Sequence, residues 1–196
     1  MSLIVLLLAA GQSARMRGRD KLMEPVSGHA CLRKMAMRVL DAKLQLIVTV
    51  PDFLHPRNAA LDGLNLTRVP VPDADQGMAH SIAAGAAALP TSTLAVMIVP
   101  ADMPALETAD FKLMADAYQN SPELILRATN EAGKPGHPVI FPSNVIESLT
   151  HLTGDRGAQK VIRANPDKLR YITLPGEHAT TDLDTPEDWE NWHLQN

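Results

Sequence analysis

The chain has 196 residues, 45% of them hydrophobic and 20% charged, with a formal net charge of −4. That length and balance describe a globular protein able to bury a sizeable core. The mild acidity and the 4% aromatic content exclude a broad basic nucleic-acid footprint and a row of base-stacking platforms, and the single cysteine, Cys31, excludes an intramolecular disulfide and a cysteine-rich zinc site.

In chain order, Met1 to Leu8 is short and apolar, lacks a basic leader and runs at once into Gly11 and Arg15. It reads as a buried strand over Leu3–Leu8, not as a signal peptide. No later apolar run is long enough to cross a bilayer. A cytoplasmic protein with no nucleic-acid and no membrane partner is therefore expected. Further strands are predicted at Leu46–Val50 and Leu94–Val99, with a weaker one at Leu124–Leu126, each apolar and followed by turn or polar residues. Helical patterns fall between them at Ala30–Ala42, Met78–Ala88 and Thr108–Tyr118. The alternation predicts an α/β fold with helices on both faces of a mostly parallel sheet. Gly133, Pro135, Gly136, Pro138 and Pro142 then crowd a stretch that reads as a loop carrying a short strand, Val139–Phe141. Helices are expected at Ser143–Leu152 and Asp155–Ala164, a last strand at Tyr171–Leu174, and a C-terminal helix opened by Pro186. Nothing in the pattern calls for a second domain, so residues 1–196 read as one.

Six segments carry candidate chemistry. Leu8-Ala9-Ala10-Gly11-Gln12-Ser13-Ala14-Arg15-Met16, running on to Gly18-Arg19-Asp20-Lys21, leaves the first strand. Ligands of open α/β sheets bind beyond the carboxyl ends of strands. Small residues there allow close approach, backbone N–H groups can cradle phosphate, and Arg15 and Lys21 add fixed positive charge. The segment is neither a Walker A loop nor a G-x-G-x-x-G fingerprint, and taken alone it also fits an ordinary turn with solvated cations. Asp102, between Pro100 and Pro104 at the end of another apolar strand, belongs on the same sheet edge. A carboxylate beside a triphosphate suits Mg²⁺; an aspartate that caps a turn is the plainer reading. Gln76-Gly77-Met78-Ala79-His80-Ser81 opens a helix whose first N–H groups could meet an anion or a base edge, or simply start the helix. Lys134-Pro135-Gly136-His137-Pro138 fixes the backbone around His137, Gly154 to Ala158 is a loop entering a helix with Asp155 as a possible N-cap, and Asp182-Leu183-Asp184 precedes a helix start at Thr185-Pro186. That helix start accounts for Thr185 and Asp188 but leaves Asp182 and Asp184 unexplained.

In this order the six segments resemble the MobA-like nucleotidyltransferases, and more closely their molybdenum cofactor cytidylyltransferase branch. The match runs from Leu8 to Asp188. Leu8–Met16 with Lys21 carries the superfamily resemblance, Gly136-His137-Pro138 and Gly154–Ala158 the branch, and Ala10 stands where the guanylyltransferase branch usually has glycine. One departure is Arg17: the glycine many members carry directly after Arg-Met comes one place later here, at Gly18. The resemblance implies a Rossmann-like three-layer α/β/α sandwich and transfer of a nucleoside monophosphate, CMP in this branch, from the triphosphate to the phosphate of molybdopterin, with release of pyrophosphate. It implies Arg15, Lys21 and Asp102 as the catalytic group. Leu8, Ala9, Ala10, Gly11, Gln12, Ser13, Gln76, Gly77 and Ser81 would complete the nucleotide site. Gly136, His137 and Asp155, with the segment around Ser81, would face the pterin. Mg²⁺ would sit on Asp102 with Asp182 or Asp184, and the product would pass to a molybdoenzyme or its maturation chaperone. Two other functions fit the first loop: a sugar-phosphate or other small phosphate-acceptor nucleotidyltransferase, and a non-catalytic carrier of nucleotide or cofactor.

Overall fold

A computed structural model describes residues 2–154 and 157–195; Asp155, singled out above, lies outside them. The first strand, β1 (Leu3–Leu8), is apolar at every position because it is covered on both faces. It pairs in parallel with β4 (Gln45–Val50) on one side and β6 (Ala95–Pro100) on the other, and β4 pairs in parallel with the edge strand β5 (Thr67–Pro70). A small antiparallel ribbon, β2 (Pro25–Val26) with β3 (His29–Ala30), stands apart from this sheet.

Side-chain alternation along the central strands sorts the core into two layers. Leu3, Val5 and Leu7 of β1 and Ala95, Met97 and Val99 of β6 face α1 (Cys31–Asp41), α4 (Thr108–Gln119) and Trp189 of α7 (Pro186–Gln195). Ile4, Leu6, Val96 and Ile98 face α3 (Met78–Ala87), α5 (Ser143–Thr150) and α6 (Gln159–Ala164). The result is the expected three-layer α/β/α sandwich, with a sheet of order β5-β4-β1-β6-β8-β7-β9. Cys31 is part of this packing: its thiol donates to the Ala101 carbonyl at 3.3 Å, and burial pushes its pKa up.

One expectation fails. The proline-rich stretch is an eight-residue strand, β8 (Pro135–Pro142), set antiparallel between β6 and β7 (Ile125–Thr129). Pro135 and Pro142 fall at its ends, and Pro138 falls where pairing with β7 shifts register between Arg127 and Thr129. The ladder bonds that proline cannot make are thus those the strand already lacks or gives up at its ends. The last strand, β9 (Leu169–Thr173), pairs in parallel with β7, two residues earlier than the apolar pattern indicated. A four-residue helix, α2 (Arg57–Ala60), was not foreseen at all.

Candidate active site

The carboxyl ends of β1 and β6 meet at one sheet edge, and two clefts open there. The first, of about 500 Å³, is lined by Ala10, Gly11, Gln12, Ser13 and Ala14, by Gly18 to Asp20, and across from them by Pro51, His55, Val71, Pro72 and Asp75. The second, of about 350 Å³, is lined by Arg15, Lys21, Asp102, Asp182 and Asp184 on one side and by Arg127, Lys134 and Gly136-His137 on the other. The loop after β1 therefore runs past both: Ala10 to Ala14 and Arg19 line one cleft, Arg15 and Lys21 the other.

Arg57, absent from the sequence reading, fixes the shape of that loop. It is 1% exposed. Its Nε and Nη2 grip the two carboxylate oxygens of Asp20 at 2.8 and 2.7 Å. Nη1 donates to the carbonyls of Ala9 at 2.6 Å and Gly11 at 2.7 Å, and Nη2 also donates to Ser13 Oγ at 3.1 Å. A guanidinium has five N–H groups in a rigid fork, and all five are used here. Because both peptides are trans, holding the carbonyls of Ala9 and Gly11 toward Arg57 turns the N–H groups of Ala10 and Gln12 the opposite way. Burial alone would raise the Asp20 pKa, but Arg57 outweighs it and holds the carboxyl below its ordinary value. Ser13 adopts a left-handed conformation (φ 54°) and joins the network by accepting from the Lys21 amide at 3.3 Å.

A second charge cluster lies between the clefts. Lys21 Nζ donates to Asp102 Oδ2 in a short ion pair and to Asp184 Oδ1 at 2.8 Å, while Arg15 reaches Asp184 Oδ2 at 2.8 Å. Burial would lower the Lys21 pKa, but the two carboxylates outweigh it and hold the ammonium above the ordinary lysine value. Asp184 is set in place by its neighbours: its amide and that of Thr185 donate to Asp188 Oδ2, whose own amide donates to Thr185 Oγ1, the reciprocal cap anticipated for that helix. The Leu183 amide donates to the Asp102 carbonyl at 3.0 Å, which ties this loop to the end of β6. Asp182 and Asp184 now differ. Asp184 has both oxygens on cations. Asp182 has its pKa raised, first by burial and then by the charges of Asp102 and Asp184.

Among the described residues, two buried polar atoms in the second cleft have no hydrogen-bond partner: Asp102 Oδ1 and His137 Nδ1. Burial, and after it the nearby Arg127 charge, push His137 down to about 4, so its ring is neutral near pH 7. Gly136 is there for space: a Cβ on it would lie 1.7 Å from the Ala179 carbonyl oxygen, the same oxygen that accepts from the His137 amide at 2.9 Å.

The remaining expected site residues scatter. Leu8 and Ala9 lie behind the loop, Ala9 with its amide on Thr49, and line neither cleft. Gln76 and Gly77 (φ 116°, a conformation suited to glycine) sit between Asp75, which lines the first cleft, and Met78, which lines the second. Ser81 is buried in α3 and lines neither.

A phosphate-ready loop at the carboxyl edge of a mostly parallel sheet, with a carboxylate and a lysine facing it, defines a nucleotidyltransferase. Residues 5–169 match the MobA-like NTP transferase domain, and the chain belongs to that family. A protein of Natronomonas pharaonis named as a probable molybdenum cofactor guanylyltransferase is 28% identical over 193 residues, covering 94% of this chain and 93% of that one. Among solved structures, Rv0371c of Mycobacterium tuberculosis superposes with a TM-score of 0.82 at 24% identity, covering 100% of this chain and 99% of that one. Its complex with manganese gives 0.76 at 23%, with 97% of each covered. A CMP:2-keto-3-deoxy-manno-octonic acid synthetase complexed with CTP gives 0.77 at 12%, with 100% and 98% covered. These superpositions show the shared fold.

Proposed function

We propose that the chain transfers a nucleoside monophosphate, CMP by preference, from its triphosphate to the terminal phosphate of molybdopterin or its molybdenum-loaded form. The observation that carries this reading is the meeting of the two clefts at Arg15, Lys21 and Asp102. The base and ribose lie in the first cleft, the triphosphate on the N–H face of the loop, and the acceptor in the second cleft. An acceptor phosphate oxygen attacks the α-phosphorus, the bond from that phosphorus to the bridging oxygen of the β-phosphate breaks, and pyrophosphate leaves. A phosphate monoester is largely anionic near neutral pH, so the protein's work is positioning and charge neutralisation. Lys21 and Arg15 balance charge that builds on the α-phosphate and the leaving group.

The second cleft suits Mg²⁺. The free buried oxygen of Asp102 and the carboxyl of Asp182 are hard oxygen donors of the kind that ion takes. Among the described residues no three such groups form a cage, so phosphate oxygens and water would have to complete the shell of such an ion. When bound, it would neutralise phosphate oxygens at the reacting centre. Asp184 then keeps the separate task of holding Arg15 and Lys21. Manganese in a fold neighbour supports a divalent-metal reading.

CTP is proposed over GTP because Ala10, at the wall of the first cleft, stands where the guanylyltransferase branch usually has glycine, and a methyl group there would restrict the approach of a larger purine. Sterics of this size are worth about 10- to 200-fold in kcat/KM. The CTP complex of a fold neighbour supports it; the name of the Natronomonas relative favours GTP as the second reading. The product is handed to a molybdoenzyme or its maturation chaperone. The test is a multiple-turnover assay with molybdopterin cofactor and each of the four triphosphates, then CTP and GTP in competition, reading pyrophosphate and the mass of the product. Mostly guanylylated product overturns the base choice, and an unrelaxed preference in Ala10→Gly overturns its cause. Turnover only with sugar phosphates overturns the acceptor. Absence of pyrophosphate release leaves a carrier.

A further inference from the structure

We propose that Arg127 is the anchor for the acceptor's phosphate, forming a phosphate-monoester subsite on the β7–β8 wall of the second cleft. The inference rests on the nucleotidyltransferase reading above and names the group that holds the attacking substrate.

Four cations and three carboxylates line this cleft. Two of the cations are committed: Lys21 to Asp102 and Asp184, and Arg15 to Asp184. Lys134 is exposed at the rim, where its charge lowers the Glu177 pKa after the hydrogen bonds from Thr180 and Asn130. Arg127 has no carboxylate partner among the described residues. Its one hydrogen bond runs from Nε to the Gly136 carbonyl at 3.2 Å, which leaves both terminal nitrogens of the fork for a ligand. A half-buried guanidinium without a counter-ion is costly unless an anion completes it, and its planar fork matches phosphate oxygens in pairs.

The mounting is rigid at both ends. Arg127 is paired to Val139 of β8 and to Tyr171 of β9, so its Cα cannot drift. The Gly136 carbonyl that holds Nε belongs to a backbone pressed against Ala179. The positive field of the fork is felt at His137, whose protonation it disfavours after burial. The site thus carries separate positive charge for each of two anions: Arg15 and Lys21 for the donor triphosphate, Arg127 for the acceptor. Two phosphates brought to reacting distance repel each other, and a counter-charge on each side offsets that repulsion.

The experiment compares wild type with Arg127→Gln and Arg127→Lys. Acceptor is titrated at saturating triphosphate, triphosphate at saturating acceptor, and triphosphate binding is measured alone by calorimetry. Loss of a charged phosphate contact should raise the acceptor KM in Arg127→Gln by about 10- to 100-fold. Triphosphate Kd should stay within about twofold. Arg127→Lys should recover part of the loss, because an ammonium keeps the charge but not the fork. Inorganic phosphate should bind triphosphate-loaded wild type and fail to bind Arg127→Gln. An unchanged acceptor KM, or a triphosphate Kd that weakens in step with it, overturns the proposal. Should Arg127→Gln not fold, Arg127→Lys alone decides between those outcomes. A wild-type protein that turns over no phosphate acceptor refutes the function above, while the inorganic phosphate arm still reports on the subsite.

Discussion

Beside the first cleft, Arg57 uses every N–H of its guanidinium inside the protein, and the loop it grips has the carbonyls of Ala9 and Gly11, the Ser13 hydroxyl and the Asp20 carboxylate matched. In the second cleft, among the described residues, Asp102 Oδ1 and His137 Nδ1 are buried with no partner and Arg127 has no counter-ion. The first arrangement meets the ordering cost of the loop at folding, so under the proposed function a triphosphate would find donors already aimed. The second leaves polar groups whose hydrogen bonding a bound ligand, ion or water would complete.

The largest expected effect attacks the saturated side. Removing one partner of a buried, hydrogen-bonded ion pair costs about 3–5 kcal/mol, so Arg57→Met should lower the unfolding free energy by about that much in urea. Replacing both partners, in Arg57→Met with Asp20→Leu, should recover part of the stability because no lone charge is left behind. It should not recover triphosphate affinity, since the carbonyls of Ala9 and Gly11 still lack their donor. A double variant with wild-type affinity would show that Arg57 stabilises the fold without shaping the phosphate loop.

Asp102→Asn probes the unsatisfied side. Under the proposed function it should cut kcat/KM by about 10²- to 10³-fold, the scale for losing one preorganised charge-stabilising group, with the circular dichroism spectrum of a folded protein retained. Near-normal turnover would remove Asp102 from the metal. Lys21→Ala comes next. Its ammonium bridges Asp102 and Asp184, and a cation acting on the leaving pyrophosphate works mainly in the transition state. The fall in kcat, about 10²-fold, should therefore match or exceed the rise in KM; a change confined to KM would reduce Lys21 to a ground-state contact.

Much of this architecture was legible in the sequence because it follows from periodicity. Strands β1, β4 and β6 are apolar on both faces, and α1, α3 and α4 repeat with helical spacing, so their order already implied the three layers and placed Gly11 and Asp102 on one edge. Edge strand β5, Thr67-Arg68-Val69-Pro70, carries no such signal, because none of its residues is fully buried. β8 was hidden by its prolines, which read as turn formers until the register shift gives them a place. Arg57 was missed for a deeper reason. Its partners at positions 9, 11, 13 and 20 lie 37 to 48 residues away, and no local motif distinguishes a buried arginine from a solvated one. The difference between Asp182 and Asp184 is likewise tertiary, since it depends on which carboxylate the folded loop turns toward Lys21.

The smallest effect concerns His137 and separates burial from catalysis. Its ordinary pKa is 6.5 and the folded value is about 4. Between those values an unfolded chain takes up a proton that the folded chain refuses, so stability falls as pH drops from about 6.5 to about 4 and is unaffected by this group above that window. The depression corresponds to at most about 3 kcal/mol. His137→Gln, which cannot protonate, should flatten that part of the stability profile, read from urea unfolding at successive pH values. The rate profile should behave differently. A ring that is neutral throughout the working range contributes no ionisation near pH 6, whereas a phosphate monoester acceptor has its second pKa near 6 and sets the acid limb by itself. Wild type and His137→Gln should then share that limb while differing in acid stability. A limb that vanishes with the imidazole would place His137 in the proton chemistry and make its buried, unpartnered nitrogen a catalytic group.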